Sequence, residues 1–500
     1  MADQATQSSP AAAPAQVTEQ VNDFQSLLER KFKPKTDYAR NAVESAVRTL
    51  ASQALASTKL ISDDAIKSIE AIIAEIDKRL SAQLNLIIHH QDFRNLEGTW
   101  RGLSHLVYGT ETDSTLKIRV LNVTKKEILK DFQNNPGAKW DQTKMFEKLY
   151  TAEYSQYGGT PYGALIGDYY FDHSPSDVEF LDGMAKIAAS AHSPFFGAAN
   201  PTLMNMDSWQ ELANPRDLTK IFDTAEYAPW RSLRESDNSR YIGLTLPRFL
   251  ARLPYGAKTK PVEKFAFEED VEGGDHNKYI WANSVYAMAA NITRSFKYYG
   301  WCTQIRGVEA GGTVENLPCH TFPTDDGGVD MKCPTEISID DRREGELSAN
   351  GLIGLLHKKN ADVATFFGCQ SLQKPEQYYD PDATQNANLS ARLTYMFAMC
   401  RFAHYLKSMV RDKIGTFKER EDMERFLNDW ISNYVTRDPR ASDEVKARYP
   451  LAAAEVKVQE VEGNPGYYTS QFYLRPHYQL EGLTVSLRLV SKLPSAKSGS

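Results

Sequence analysis

The chain has 500 residues, with 58 basic and 65 acidic side chains and a net charge of −7. At about 150 residues per domain this length suggests about three lobes, or two with a large insertion, and leaves room for a sizeable core. The acidic balance disfavours a general nucleic-acid binder, which needs a basic surface to displace counterions. A mean hydropathy of −0.49, with no run near the roughly 18 apolar residues needed to cross a bilayer, excludes a membrane-spanning helix.

Residues 1–16, rich in Ala, Pro, Gln and Ser, bury too little apolar area to order themselves and read as a disordered arm. Met1-Ala-Asp-Gln lacks the basic and apolar regions of a secretory signal, which leads us to expect a cytoplasmic chain. Val17, Val21, Phe24, Leu27, Leu28 and Phe32 fall at helical spacing before Pro34. They predict a short amphipathic helix, either the first core helix or a recognition helix for another protein's groove. A second helix is predicted from Tyr38 to Ala56, and a third from Asp63 to His89 with Ser62 as N-cap. The third carries the stripe Ile66, Ile69, Ile72, Ile73, Ile76, Leu80, Leu84 and Ile88. A rod of this length, roughly 40 Å at 1.5 Å per residue, outgrows one small core, so a large domain or a partner helix runs alongside it.

Beyond Gly109 strands and helices alternate: a strand at Leu116–Val123, a helix at Lys125–Gln133, a strand at Gly163–Phe171 and a helix at Asp177–Ala191. That alternation implies a layered α/β domain. Long loops are expected from Pro254 to Pro323 around a helix at Asn283–Tyr299, followed by helices at Ala391–Val410 and Lys418–Tyr434. The last 50 residues predict three strands, Ala454–Val461, Gly466–Leu474 and Leu483–Leu489.

The search for chemistry finds little. No Gly-rich phosphate loop, zincin, EF-hand or nucleophile-elbow pattern occurs. Cys302, Cys319, Cys333, Cys369 and Cys400 are odd in number and scattered, as reduced core thiols are. Cys302, Cys319, His320 and Cys333 lack the spacing of a structural zinc site. His89, His90 and Asp92 read as a polar helix end, because neighbouring helical side chains diverge by about 100°. The 25 tyrosines suit either core and strand packing or a surface that is both apolar and hydrogen-bonding, as protein interfaces are.

The segment His89-His-Gln-Asp-Phe-Arg-Asn-Leu-Glu-Gly-Thr-Trp-Arg-Gly-Leu103 resembles the large subunit of the type VI secretion contractile sheath, the TssC or VipB family. The resemblance continues through Leu116–Val123, Pro161–Tyr169, Asn283–Trp301, Arg411–Gly415 and Tyr473–His477. It covers nearly the whole chain from about Ala39 to Leu493. The implied fold is mixed α/β: contractile-sheath-like α/β domains, with long N-terminal helices and a C-terminal strand-rich segment. The organisation it suggests is an arm and short helix at 1–38, a helical segment at 39–110 that pairs with a small subunit, an α/β sheath domain at 111–385, and a C-terminal domain at 386–500.

The resemblance implies a structural part without catalytic residues, cofactor or metal, in the cytoplasm of a Gram-negative bacterium. Its implied partners are a small sheath subunit (TssB/VipA-like), neighbouring copies of the heterodimer, an Hcp-like inner tube protein, a ClpV-like AAA+ unfoldase and the baseplate. Under it, Ile66, Ile69, Ile73, Ile76 and Leu80 bind the small subunit, and Val21, Phe24, Leu27 and Leu28 form the unfoldase handle. Val456, Val458, Tyr473, Val485 and Leu487 lie in inter-subunit linker strands, while Lys418, Glu419, Arg420, Glu421 and Arg425 face the tube. The rival readings are the sheath of a related phage-tail-like injection system, and a cytoplasmic thiol or metal hydrolase using Cys319 and His320.

Overall fold

A computed structural model describes residues 36–39, 41–43, 45, 49, 65–214, 217–272, 274–324, 326–416, 420–460 and 468–479, with backbone alone at 65–70 and 72. The expected arm, the Val21 to Leu28 helix face and the strand at Leu483–Leu489 lie outside the described residues. Of the helix expected from Tyr38, residues 37–39, 41–43, 45 and 49 are described and helical. The chain divides into two compact units, one comprising residues up to His89 with Tyr255–Asp270, the other His90–Pro254 with Val271 onward.

The main elements, in chain order, are α1 (Ala65–Ile88), α2 (Gln91–Tyr108), α3 (Lys125–Asn134), β1 (Leu165–Phe171), α4 (Pro175–Ala191), β2 (Phe195–Ala199), β3 (Ile242–Leu246), α5 (Ser284–Tyr299), β4 (Thr313–Val314), β5 (Leu352–His357), β6 (Ala364–Phe366), α6 (Leu393–Lys413), α7 (Arg420–Ser432), β7 (Leu451–Glu460) and β8 (Tyr468–Pro476). Helix starts follow local chemistry. Thr124 and Glu127 close a capping box on α3, and the Asn283 side chain accepts the Val285 amide at the start of α5.

The second unit is built on a six-stranded sheet in the order β1-β2-β3-β5-β6-β4. The first four strands run parallel, and β6 is antiparallel to both of its neighbours. Strands covered on both faces read as continuous apolar runs, and alternate side chains of β2 show why. Phe195 points into a core with Phe171, Phe180 and Trp209, whereas Phe196 points into a second core with Val285, Ile353 and Phe397. Helix α4 covers the first face and α5 the second. A third core joins Trp301, Phe402, Leu427, Ile431 and Val456, which seats α6, α7 and β7 together.

One expected strand is absent. Leu116–Val123 runs outside any strand, and no backbone N–H or C=O of residues 117–122 takes a hydrogen bond among the described residues. Its alternation is nonetheless used in part: Ile118 leans on the second core and Val123 on the first, while Val120 and Leu121 stand 66% and 50% exposed. A β pattern is satisfied only when a neighbouring strand supplies the ladder, and the described residues supply none there.

Candidate assembly surfaces

In the first unit, the far end of α1 is held to the 255–270 segment by a reciprocal amide clamp. Asn85 Nδ2 donates to the Glu268 carbonyl at 3.1 Å, and the Asp270 amide donates to Asn85 Oδ1 at 3.1 Å. His89 Nε2 stands 3.4 Å from Glu269 Oε1. Along the expected partner stripe Ile73 is exposed while Ile76 and Leu80 are half-buried; the side chains of Ile66 and Ile69 lie outside the described residues. Leu86 and Ile87, off that stripe, are exposed as well. The helix therefore shows apolar surface on more than one side.

In the second unit, α2 turns one face inward through Gly98, Gly102 and Leu106. A Cβ at Gly98 would run into the Trp281 carbonyl, and one at Gly102 into the Tyr286 ring, so glycine is what lets the helix lie this close. On the other side Phe93, Leu96, Trp100, Leu103 and Val107, spaced three, four, three and four, make a second apolar line. All but Leu103 are exposed, Trp100 by 63%. Contiguous apolar surface of this kind marks an interaction site. Periodicity over 93–107, with the Gly98 and Gly102 pair, was the available signal for it. His90 accepts the Asp92 amide and so caps α2, which accounts for the polar helix end expected there.

Leu96, Trp100 and Leu103 form one wall of a cleft of about 1370 Å³. Leu116–Val123 forms a second wall, and β1 residues Ile166, Gly167 and Asp168 line it too. Among the described residues β1 has a single strand neighbour and no ladder on its outer edge. At one end Lys125 Nζ caps the Tyr170 carbonyl at 2.7 Å and pairs with Asp177 at 2.6 Å. The segment is tied down by Tyr169, whose hydroxyl donates to the Val123 carbonyl at 2.7 Å, and by Arg119, which bonds Glu153, Thr160 and Tyr162. Asp168 accepts from Asn283 Nδ2 at 2.9 Å and the Tyr286 hydroxyl at 3.2 Å, fixing the start of α5 against β1; burial and that carboxylate together push the Tyr286 hydroxyl far above its ordinary pKa.

The α6 end of the cleft is basic. Arg401 lies 5.5 Å over the Phe296 ring and 4.8 Å over Tyr405, Lys407 Nζ lies 3.5 Å from the Tyr154 ring centroid, and Arg411 donates to the Tyr154 and Gln156 carbonyls. Among the described residues none of the three meets a carboxylate. Burial, and after it Arg411, lowers the Lys407 pKa, and burial pushes the Tyr154 phenol up to about 12. Behind them His404 Nε2 is 2.8 Å from the Ala191 carbonyl, and burial brings this imidazole down to about 4.

In the C-terminal hairpin, the side chains of Val456 and Val458 are buried in this chain's own third core. The outer edge of β7 is also occupied, because Asn428 exchanges two hydrogen bonds with the Val456 backbone, at 2.7 and 2.9 Å, and Glu424 accepts the Val458 amide at 2.9 Å. Among the described residues the unpaired edge of the hairpin is that of β8, which carries the exposed Tyr473. Val485 and Leu487 lie outside the described residues, as do Lys418 and Glu419; Arg420, Glu421 and Arg425 are exposed on α7.

The thiol and imidazole of the rival reading are not partners. Cys319 Sγ faces the Ala361 carbonyl at 3.8 Å, and His320 Nδ1 is 2.6 Å from the Tyr279 hydroxyl. The thiol that meets an imidazole is Cys333. Burial raises its pKa, but hydrogen bonds with His357 and Thr335 outweigh burial and lower it. Among the described residues no cluster of His, Cys, Asp and Glu has a metal-holding arrangement, and no helix is long and apolar enough to cross a membrane.

The VipB family model, EvpB/VC_A0108 tail sheath N-terminal domain, matches residues 70–373, and the VipB_2 model, EvpB/VC_A0108 tail sheath gpW/gp25-like domain, matches residues 382–493. The type VI secretion system sheath protein TssC1 of Pseudomonas aeruginosa is 69% identical over 481 residues, 96% of this chain and 97% of that protein. Among solved structures, a chain of the anti-feeding prophage baseplate matches at TM-score 0.35 and 8% identity, over 63% of this chain and 66% of that one. A chain of the contracted PVC sheath complex, from an extracellular contractile injection system, matches at TM-score 0.32 and 8% identity, over 62% and 68%.

Proposed function

The chain belongs to the TssC/VipB family of type VI secretion contractile-sheath proteins, and from that premise we propose how it works in the sheath. It pairs with a small sheath subunit, and the heterodimers stack in the cytoplasm into a helical tube around an Hcp-like inner tube seated on a baseplate. The tube contracts to drive the inner tube outward and is then dismantled by a ClpV-like AAA+ unfoldase. Head-to-tail contacts that do not close into a ring generate open filaments. Two packings of the same subunits that differ in free energy supply the stroke without bound fuel.

The observation that carries this reading is the exposed apolar line Phe93, Leu96, Trp100 and Val107 on α2, an amount of ordered apolar surface that a stand-alone chain has no reason to keep in water. The α1 stripe around Ile73, Ile76 and Leu80 is the small-subunit contact, and the open edge of β8 joins neighbouring copies by strand addition. The Val21 to Leu28 face is the unfoldase handle, and Arg420, Glu421 and Arg425 belong to a charged ridge toward the tube.

Co-expression with the small subunit, viewed by negative-stain microscopy, tests this: hollow tubular filaments are expected. Compact monodisperse particles under every condition would overturn it. Ile73→Asp with Ile76→Asp is expected to abolish co-purification, and deletion of residues 1–34 is expected to leave assembly intact while blocking disassembly.

A further inference from the structure

We infer that Cys333 is a modification site, a half-buried thiol paired with His357 that reacts with peroxides and alkylating electrophiles ahead of the chain's other cysteines. It stands apart from the sheath reading, because it concerns one side chain and the groups around it.

The fold holds both members of the pair. Around the thiol, the Lys332 amide donates to the His320 carbonyl at 2.7 Å, the Leu250 amide donates to the Pro334 carbonyl at 2.7 Å, and Thr335 bridges Phe249. Thr335 Oγ1, 3.2 Å from Cys333 Sγ and 2.8 Å from the Ile337 carbonyl, fixes where the sulfur sits. His357 ends β5. The turn after it, closed by the Lys358 amide on the Val363 carbonyl at 2.9 Å, brings the Ala361 carbonyl to 2.8 Å from His357 Nε2. A carbonyl only accepts, so Nε2 carries a proton and Nδ1 is the ring nitrogen left to take one. The thiol thus meets a base whose tautomer a third group fixes, the arrangement that activates a cysteine.

Exposure does not single Cys333 out, since Cys302 and Cys319 are half-buried as well; its partner does. Burial pushes the Cys302 thiol up to about 12 and raises Cys400 too, while burial, Asp362 and Cys333 raise Cys319. The titratable groups coupled to Cys333 are His357, Cys319 and Lys332, whose ammonium lies 5.1 Å over the Tyr279 ring. Burial lowers His357, but hydrogen bonds with Cys333 and the Ala361 carbonyl outweigh it and raise the imidazole; burial lowers Lys332, and Cys333 works against that lowering. Cationic neighbours of this kind favour the thiolate, which is the nucleophile.

With hydrogen peroxide the sulfur attacks one oxygen. An S–O bond forms, the O–O bond breaks, and the departing hydroxide takes the imidazolium proton to leave as water. Sulfur is oxidised by two electrons to the sulfenic acid, and the peroxide is reduced. With iodoacetamide the sulfur forms a C–S bond and displaces iodide.

Iodoacetamide labelling of the folded full chain, followed at each cysteine by mass spectrometry across a pH series, tests the inference. Cys333 is expected to react at least about 10-fold faster than any other cysteine at neutral pH, with a rate midpoint below the ordinary thiol value of about 8.5. Peroxide followed by dimedone is expected to tag Cys333 first. His357→Gln keeps a polar side chain but loses the base, and is expected to slow labelling at neutral pH about 10-fold and to move the midpoint up. Uniform labelling of the five thiols, a Cys333 midpoint at or above about 8.5, or a first dimedone adduct on another cysteine would overturn the inference on the parent chain alone. A folded His357→Gln chain with the parent's rate and midpoint would overturn it as well.

Discussion

The Tyr169 hydroxyl on β1 donates to the Val123 carbonyl 2.7 Å away, and this bond ties the end of a segment that has no ladder among the described residues to the edge strand of the sheet. Tyr169→Phe keeps the ring in its edge-on contact with Phe180, 5.7 Å between centroids, and removes only the donor. We expect a loss of about 1 kcal/mol in stability and faster amide exchange near Val123. Unchanged exchange there would mean that packing alone holds the segment.

The two glycines of α2 differ in what stands over them. A methyl group at Gly98 meets the Trp281 backbone carbonyl, which cannot turn aside, whereas at Gly102 it meets the Tyr286 ring, which can. Overpacking costs about 1–3 kcal/mol, set against about 1 kcal/mol of helix propensity gained by alanine. Gly98→Ala is therefore expected to lower the melting temperature more than Gly102→Ala. The reverse order in thermal denaturation would show that the ring is the more rigid obstacle.

His404 gives the fold an acid-sensitive point. Its Nε2 serves the Ala191 carbonyl, its Nδ1 is buried with no partner among the described residues, and burial lowers the imidazole from 6.5 to about 4. A proton on Nδ1 would be a buried donor with no acceptor. The unfolded chain binds that proton first as pH falls, so this contribution to stability is intact above pH 6.5. It is lost progressively between 6.5 and about 4, to a total of about 3 kcal/mol. Denaturant unfolding across this window should show a steeper pH slope for the parent than for His404→Gln, and equal slopes would refute the assignment.

Asn428 does the work of a strand for β7. Its side-chain amide both donates to the Val456 carbonyl and accepts the Val456 amide, at 2.7 and 2.9 Å. Asn428→Ala leaves both backbone groups unpaired at about 1–3 kcal/mol each, and it also opens an edge that other strands can join. We expect a lower midpoint in denaturant and concentration-dependent association in light scattering. Asn428→Asp retains the acceptor but not the donor and should fall between the two.

Much of this protein is fixed by local pattern. The helix at Lys125, the strand ending at Phe171, the helices ending at Ala191 and Tyr299 and the first two C-terminal strands follow from periodicity, caps and turn residues within one stretch of chain. The resemblance carried by His89–Leu103 identified the family for the same reason, since motif and spacing are contained in the sequence itself. Pattern alone did not decide which surfaces stay open. Leu116–Val123 has strand composition, but a strand needs a second one, and only the tertiary arrangement shows that no neighbour arrives among the described residues. Val456 and Val458 alternate like any half-buried strand. That their backbone edge meets this chain's own α7 depends on Asn428 and Glu424, 28 and 34 residues away and brought near by the fold. The stripe Phe93 to Val107 could equally have been core. It is left exposed because Gly98 and Gly102 commit the opposite face of α2 to Trp281 and Tyr286, contacts between residues far apart in sequence that no local rule specifies.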